Sequence, residues 1–589
     1  MKRFLVTTAD ETGWPTDKSL PVLFLGEWCK LYSRKSEWSG KNFITQEYHW
    51  NDKEKNYSDY VYIKNLYEEN LFVIAKKLGK LHKTTTDVRY WEIIIGPWLR
   101  IFMDVLFDRY ESIRLVEKKN IETIEILKYD LNQLIASDFS NFYEQIVNDE
   151  WNYIIFAECI KEAGLPYIET NKELKQPVRS VFGLRRKILD KLFLLSNKFT
   201  HSYFNKIVFI SPYIQWNKLF KWQLSLSQIP WAYREQIINL PTSVDFNKRK
   251  LLKGDKGIDG YEFLLRRLIF DLMPLNYIEN FDDFRKKSLN FYPKNPKLIY
   301  TASAYQSDDS FKFWVAHQTK NQIPFVIGQH GGNFGTGKVN QTEDHQISIS
   351  DAFVSWGWND NRENIKPLPT PQLDEKAPLH QNDGDIILTL ADYPRYFYCQ
   401  YSIPYASQVL EYIEGNIDFI KRLENSLKDN LKLRLAGDGF NWSIEDRIRD
   451  EGFGSMIHKS TPGGPNKRKD SFLSLLNNCR LSISTSNTAT FLETLSLNFP
   501  TIVFFDPNLY EFRDDAIPFF AKLRRVGILH DTPDSAAQLL NEIGGDIYVW
   551  WNNKELQKAR KEFCDNYALQ SDDWHDQWKG LFQSLQSRK

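Results

Sequence analysis

The feature that most constrains this chain is a recurring alternation. Short runs rich in β-branched and aromatic residues are each followed by a segment of helical period. That is the signature of parallel α/β units. The first run is Phe4 to Thr8, and a largely helical stretch follows from about Tyr60 through Trp91 to Ala163. Strand character returns at 207–210, 298–301, 325–328 and 352–356. This predicts one α/β domain over 1–365, with a helical insertion at about 60–200. Residues 366–384 carry four prolines and little apolar pattern, so they read as a linker. A second series at 385–390, 431–435, 481–484 and 501–505 predicts another doubly wound domain over 385–550, and 551–589 reads as a closing helical tail. Two such domains face each other across a cleft at the carboxyl ends of their strands, where α/β proteins bind ligands.

Length agrees, because 589 residues exceed what one hydrophobic core supports. The 76 basic and 76 acidic residues balance, so no global field draws the molecule to nucleic acid. No run approaches the ~20 apolar residues of a membrane span, and the amino terminus lacks the apolar core of a secretory signal. The five cysteines are widely separated and form no CxxC pair, which argues against zinc or a disulfide framework and for the cytoplasm.

Three segments could carry chemistry. In Gly328-Gln329-His330-Gly331-Gly332-Asn333-Phe334-Gly335-Thr336-Gly337-Lys338, which follows a strand, glycines let backbone N–H groups approach a ligand. His330 is placed to donate to a leaving phosphate or move a proton, Gly331 and Gly332 to cradle phosphate, and Lys338 to neutralise it. In the second, Ser484 to Leu495, the residues Ser486, Asn487 and Thr488 cap a helix start whose free N–H groups form an anion site. Glu493, farther along, is placed to accept ribose hydroxyls. The third is the loop after the first strand, where Asp10 and Glu11, with Glu27 beyond, are candidate acid/base carboxylates. Arg395, after the first strand of the second series, could clamp phosphate bidentately. Lys467-Arg468-Lys469 reads as a solvated loop.

Together, TTADETGWP at 7–15, GPWL at 96–99, QHGGNFG at 329–335, FVSWGW at 353–358, YPRY at 393–396 and TSNTATFLETL at 485–495 resemble the transferases encoded in bacterial O-antigen and capsule gene clusters, of the Leptospira type. The resemblance runs nearly end to end. It implies a GT-B-like glycosyltransferase fold: two Rossmann-type doubly wound domains facing a cleft, the first on the acceptor side and the second binding a nucleotide sugar. A looser similarity to transferases that use CMP-activated ulosonic acids, such as Kdo and sialic acid, implies a phosphate role for His330 and an acid/base role for Asp10 or Glu11. It favours a CMP-sugar donor, with UDP- and GDP-sugars open, since the HP dipeptide of many sialyltransferases is absent. The expected partners are a nucleotide sugar and a glycan or lipid-linked glycan acceptor, with peripheral contact at the inner membrane. No bound cofactor is expected. The expectation is metal-independent catalysis, with protein groups stabilising the leaving phosphate. A nucleotide-sugar epimerase and a non-catalytic polysaccharide-assembly protein are the competing readings.

Overall fold

A computed structural model describes residues 2–587 apart from 18, 118–120, 175–205, 232, 234–237, 254–259, 374–377, 379–380, 438 and 459–471. The Lys467–Lys469 triplet therefore lies outside the described residues.

The described strands form three parallel sheets and one two-stranded pair. The amino-terminal sheet has the order β3-β2-β1-β4, from β1 (Arg3–Val6), β2 (Val22–Phe24), β3 (Phe43–Thr45) and β4 (Ile121–Thr123). The small pair is β5 (Glu125–Lys128) with β6 (Ile168–Glu173). A central sheet runs in sequence order through β7 (Ile207–Ile210), β8 (Leu298–Thr301), β9 (Phe325–Gly328), β10 (Ala352–Ser355) and β11 (Ile365–Pro367). The carboxyl-terminal sheet has the order β13-β12-β14-β15-β16, from β12 (Asp385–Leu390), β13 (Leu431–Leu435), β14 (Cys479–Ser484), β15 (Thr501–Phe504) and β16 (Leu529–His530). Its strand order reverses between β12 and β14, the point at which an open α/β sheet leaves a crevice.

Two sequence readings change. The strand at the amino terminus does not belong with the strands after residue 206, because β1 pairs with β2 and β4 instead. The linker starts later than 366, because Lys366 and Pro367 pair with β10. Local pattern identifies a strand but not its neighbour, and a proline is tolerated where β11 forms the sheet edge.

The central strands are apolar without a break because both of their faces are buried. Phe209, Tyr300, Val326 and Val354 face one cluster, while Val208, Ile299, Phe325, Ile327 and Phe353 face the main core. The first cluster is completed by Trp574, Trp578 and Phe582 of the last described helix, Trp574–Gln586. The chain thus returns from the third sheet to cover the second, tied down where Trp578 Nε1 donates to the Pro369 carbonyl at 2.8 Å. The helices Lys53–Leu81 and Asp149–Glu162 pack against Val88–Arg114, which also meets the helix Asp309–Lys320 between β8 and β9. Val88–Arg114 is buried almost all round, as a central helix must be. Gly96 of its GPWL segment leaves room for a neighbour, since a β-carbon there would stand 2.7 Å from His345 Cε1.

Candidate functional site

The carboxyl ends of the central strands and one helix of the third sheet enclose a cavity of about 220 Å³. From the central sheet come Tyr213, Gln215 and Lys218 after β7, His330 after β9, and Trp356 after β10. From the other side come Ala489, Glu493 and Ser496, one face of the helix Ala489–Ser496. Of the residues singled out by sequence, His330 and Glu493 therefore meet across one space, from segments more than 150 residues apart.

His330 sits among aromatic rings, its centroid 5.4 Å from Phe334 and 5.7 Å from Tyr213. Its Nδ1 is buried without a hydrogen-bond partner. Burial lowers its pKa from 6.5 to about 4, so the imidazole is neutral near pH 7 and carries one N–H to donate. Gln329 fixes the loop that carries it. Its Oε1 accepts from the Trp356 backbone N–H at 3.0 Å and from Trp358 Nε1 at 2.8 Å, while its Nε2 donates to the Gly331 carbonyl at 2.8 Å. The QHGG and FVSWGW segments are thus one constructed unit. Glu343 adds a second tie, accepting from the Gly335 N–H at 2.6 Å and pairing with Arg362 and Arg513 at 3.3 Å each. Desolvation outweighs those partners and raises the Glu343 pKa to about 7.

The glycines of this loop serve packing more than open approach to a ligand. A β-carbon on Gly332 would lie 2.3 Å from the Thr488 carbonyl carbon, and one on Gly335, at φ +68°, 2.4 Å from the Trp358 ring. Gly331 differs, with nothing within 4 Å of such a carbon. Lys338 is exposed and paired with Glu511 at 3.2 Å, away from the cavity. The helix start is likewise engaged by protein. Thr488 is the N-cap residue but makes no side-chain cap bond. Ser486 Oγ lies 3.1 Å from Thr488 Oγ1, and Asn487 Nδ2 donates to Thr336 Oγ1 at 3.0 Å. Asn487 thus ties the third sheet to the glycine loop.

The remaining candidates lie elsewhere, because β1 belongs to its own sheet. Asp10 accepts from the Thr12 N–H at 2.9 Å as a turn cap. Glu11 pairs with Arg34 at 3.0 Å on the surface, and Glu27 with Lys30 at 2.9 Å. None of the three lines the cavity. Arg395 is buried, held by Asp149 at 2.7 Å and by the Trp28 carbonyl, so its guanidinium docks the loop after β12 onto the first unit instead of facing a phosphate.

Tyr213 and Lys218 escape a motif search because they stand in no glycine-rich or carboxylate pattern, while Gln329 stands inside the glycine-rich motif but offers no sign there of its ties to Trp356 and Trp358. Position was the available signal for Tyr213 and Lys218: both follow directly on the strand 207–210, where an α/β sheet presents its binding loops. Ser211 and Tyr213 have left-handed backbones, at φ 43° and 58°, an uncommon conformation for an aromatic residue that places the ring at the cavity mouth.

Among the described residues, no cluster of His, Cys, Asp or Glu could hold a metal ion, and no helix is long and apolar enough to cross a membrane.

Comparison with known proteins supplies a family. The family model of the LIC12162 family transferases matches residues 3–582, and the chain belongs to that family. No curated protein matches the sequence. Similar solved structures include MurG of Acinetobacter baumannii, at 12% identity over 68% of this chain and 97% of that one, with a TM-score of 0.29. WaaG, a glycosyltransferase involved in lipopolysaccharide biosynthesis, is 12% identical over 52% and 95%, with a TM-score of 0.27. The glycosyltransferase SnogD from Streptomyces nogalater is 11% identical over 64% and 99%, with a TM-score of 0.29.

Proposed function

From its membership of that transferase family, we propose that this protein moves a sugar from a nucleotide-activated donor onto a hydroxyl of a surface-polysaccharide or lipid-linked glycan acceptor. The observation that carries the reading is the meeting of His330 and Glu493 on opposite walls of one cavity, between the two sheets whose carboxyl ends form the cleft. Glu493 accepts hydrogen bonds from the donor's ribose. The neutral imidazole of His330 donates to the leaving phosphate as the glycosidic C–O bond breaks and negative charge gathers on the oxygen. Its lowered pKa supports that role, because an imidazole neutral near pH 7 donates an N–H to the developing charge without needing a proton from solution. The donor we favour is a CMP-sugar, with UDP- and GDP-sugars as the other classes, and neutralisation of the phosphate uses protein groups in place of a metal.

The test is a panel of nucleotide sugars in a thermal-shift assay, with the parent and Glu493→Ala side by side. A ligand at 100 times its dissociation constant stabilises by about 2.7 kcal/mol. One nucleotide class should raise the parent's melting temperature. Glu493→Ala should bind that donor about tenfold or more weakly, the scale of a lost hydrogen bond to a charged group. Equal calorimetric affinities for the two proteins would remove the ribose assignment, and no shift with any nucleotide sugar would remove the donor reading.

A further inference from the structure

One exposed surface adjoins the cavity and is used by nothing described above. The helix Trp216–Ser225 buries Leu219, Trp222 and Gln223 and turns another face to solvent. On that face Trp216, Phe220 and Leu224 are 52%, 43% and 53% exposed. Their four-residue spacing makes a stripe about 12 Å long, extended at either end by Tyr213 and Ile229, which are 63% and 47% exposed. The helix is rigidly seated. Trp222 packs against Phe209 at 4.9 Å, Trp574 at 5.2 Å and Trp578 at 5.3 Å.

Charge indicates what would cover the stripe. The chain as a whole balances 76 basic against 76 acidic residues, yet 206–231 contains Lys206, Lys218 and Lys221 and no acidic residue. Lys221 is exposed beside the stripe, and Lys218, on another side of the same helix, lines the cavity. An amphipathic helix with aromatic and aliphatic side chains on its outer face, flanked by lysines, partitions into the headgroup region of an anionic bilayer. The absence of acidic side chains leaves this stretch net positive, which complements an anionic surface.

We propose that the Trp216–Phe220–Leu224 face docks this protein onto an anionic phospholipid surface, with the cavity mouth at Tyr213 brought down to the lipid headgroups. The face extends the acceptor half of the reading above and rests on it only for what is delivered there. A lipid-linked acceptor confined to the bilayer would meet the cavity without leaving the membrane.

Vesicle flotation tests the docking apart from transfer. Purified protein is mixed with vesicles of phosphatidylglycerol and phosphatidylethanolamine, or of phosphatidylcholine alone. The parent should float with the anionic vesicles, less so at high salt, and remain with the soluble fraction beside phosphatidylcholine. The triple variant Trp216→Ser, Phe220→Ser, Leu224→Ser should lose about tenfold or more of that partitioning, since three interfacial side chains are removed. Lys221→Glu should weaken it further at low salt. Because all four side chains are exposed, melting temperatures should stay close to the parent's; a second triple variant with Gln in place of Ser serves if the first is unstable. Phe72→Ser with Leu251→Ser, exposed elsewhere, should leave flotation unchanged. A parent that does not float, or a triple variant that floats equally well, overturns the proposal. So does a concentration-dependent dimer of the parent that the triple variant abolishes, which would assign the stripe to a second copy. Nucleotide-sugar binding in solution is indifferent to every one of these outcomes, so failure of the docking and failure of the donor reading are separately visible.

Discussion

Replacing His330 by alanine separates a catalytic imidazole from one that only fills space, and two independent magnitudes bear on it. The first is kinetic. If the N–H stabilises charge that gathers only as the donor bond breaks, its loss should lower kcat by about 10²–10³-fold while donor affinity changes little. The imidazole, at a pKa of about 4, is neutral throughout pH 5.5–8, so the defect should be the same across that range. The second magnitude is thermodynamic. The folded pKa lies below the unfolded value of 6.5, so the folded state resists protonation. Stability is therefore intact above pH 6.5 and is lost as pH falls from 6.5 toward 4. At about 1.4 kcal/mol per pH unit, the penalty reaches ~3 kcal/mol near pH 4. His330→Ala is free of that penalty, so whatever stability it loses at pH 8 should shrink, or reverse, near pH 4.5. Melting curves at both pH values and single-turnover rates per folded molecule are the assays. Turnover within twofold of the parent would refute the catalytic role. A kinetic defect that vanishes above pH 6.5 would refute the neutral-donor mechanism, since it would mean that an imidazolium had been acting.

Three further outcomes follow from the packing. Gly332→Ala should lower stability by about 1–3 kcal/mol, the range for overpacking, because its β-carbon meets the Thr488 backbone, whereas Gly331→Ala should melt like the parent; equal melting temperatures for the two would contradict the loop geometry. Arg395→Met, which takes the guanidinium from a half-buried Asp149 that keeps the Ala9 N–H and Tyr396 as partners, should cost about 1.5–3 kcal/mol in chemical denaturation without a specific effect on donor affinity in the folded fraction; a fully stable variant that no longer binds donor would return Arg395 to the phosphate. Turnover should persist in EDTA, and complete loss restored by magnesium or manganese would show that the leaving phosphate is neutralised by a cation.

How much of this was legible before folding differs between strands and site. The strands at 207–210, 298–301 and 325–328 run where the apolar pattern puts them, because a strand buried on both faces must be largely apolar, and the edge strand at 431–435 shows the alternation of one buried face; both requirements are local. His330 and Glu493 were likewise visible, each standing at the end of a strand or inside the helix beyond one, in a residue context that packing alone does not explain. The partners were not visible. Whether β1 joins β8 or β2 depends on which faces are left uncovered once the helices Lys53–Leu81 and Val88–Arg114 are in place, and no local pattern encodes that. For the same reason Arg395 looked like a phosphate clamp. A guanidinium at a strand end suits an anion, and only the fold brought Asp149, some 246 positions away in sequence, to claim it. The four hydroxyl and amide residues before Ala489 suited a helix cap, yet the approach of the glycine loop turned Asn487 toward Thr336 instead. Sequence determined which segments are strands and which residues have chemistry to offer, because propensity and burial act over a few residues. Tertiary structure decided which of those residues keep their chemistry for a ligand, because a polar group brought out of water by packing must bond to whatever the fold sets beside it.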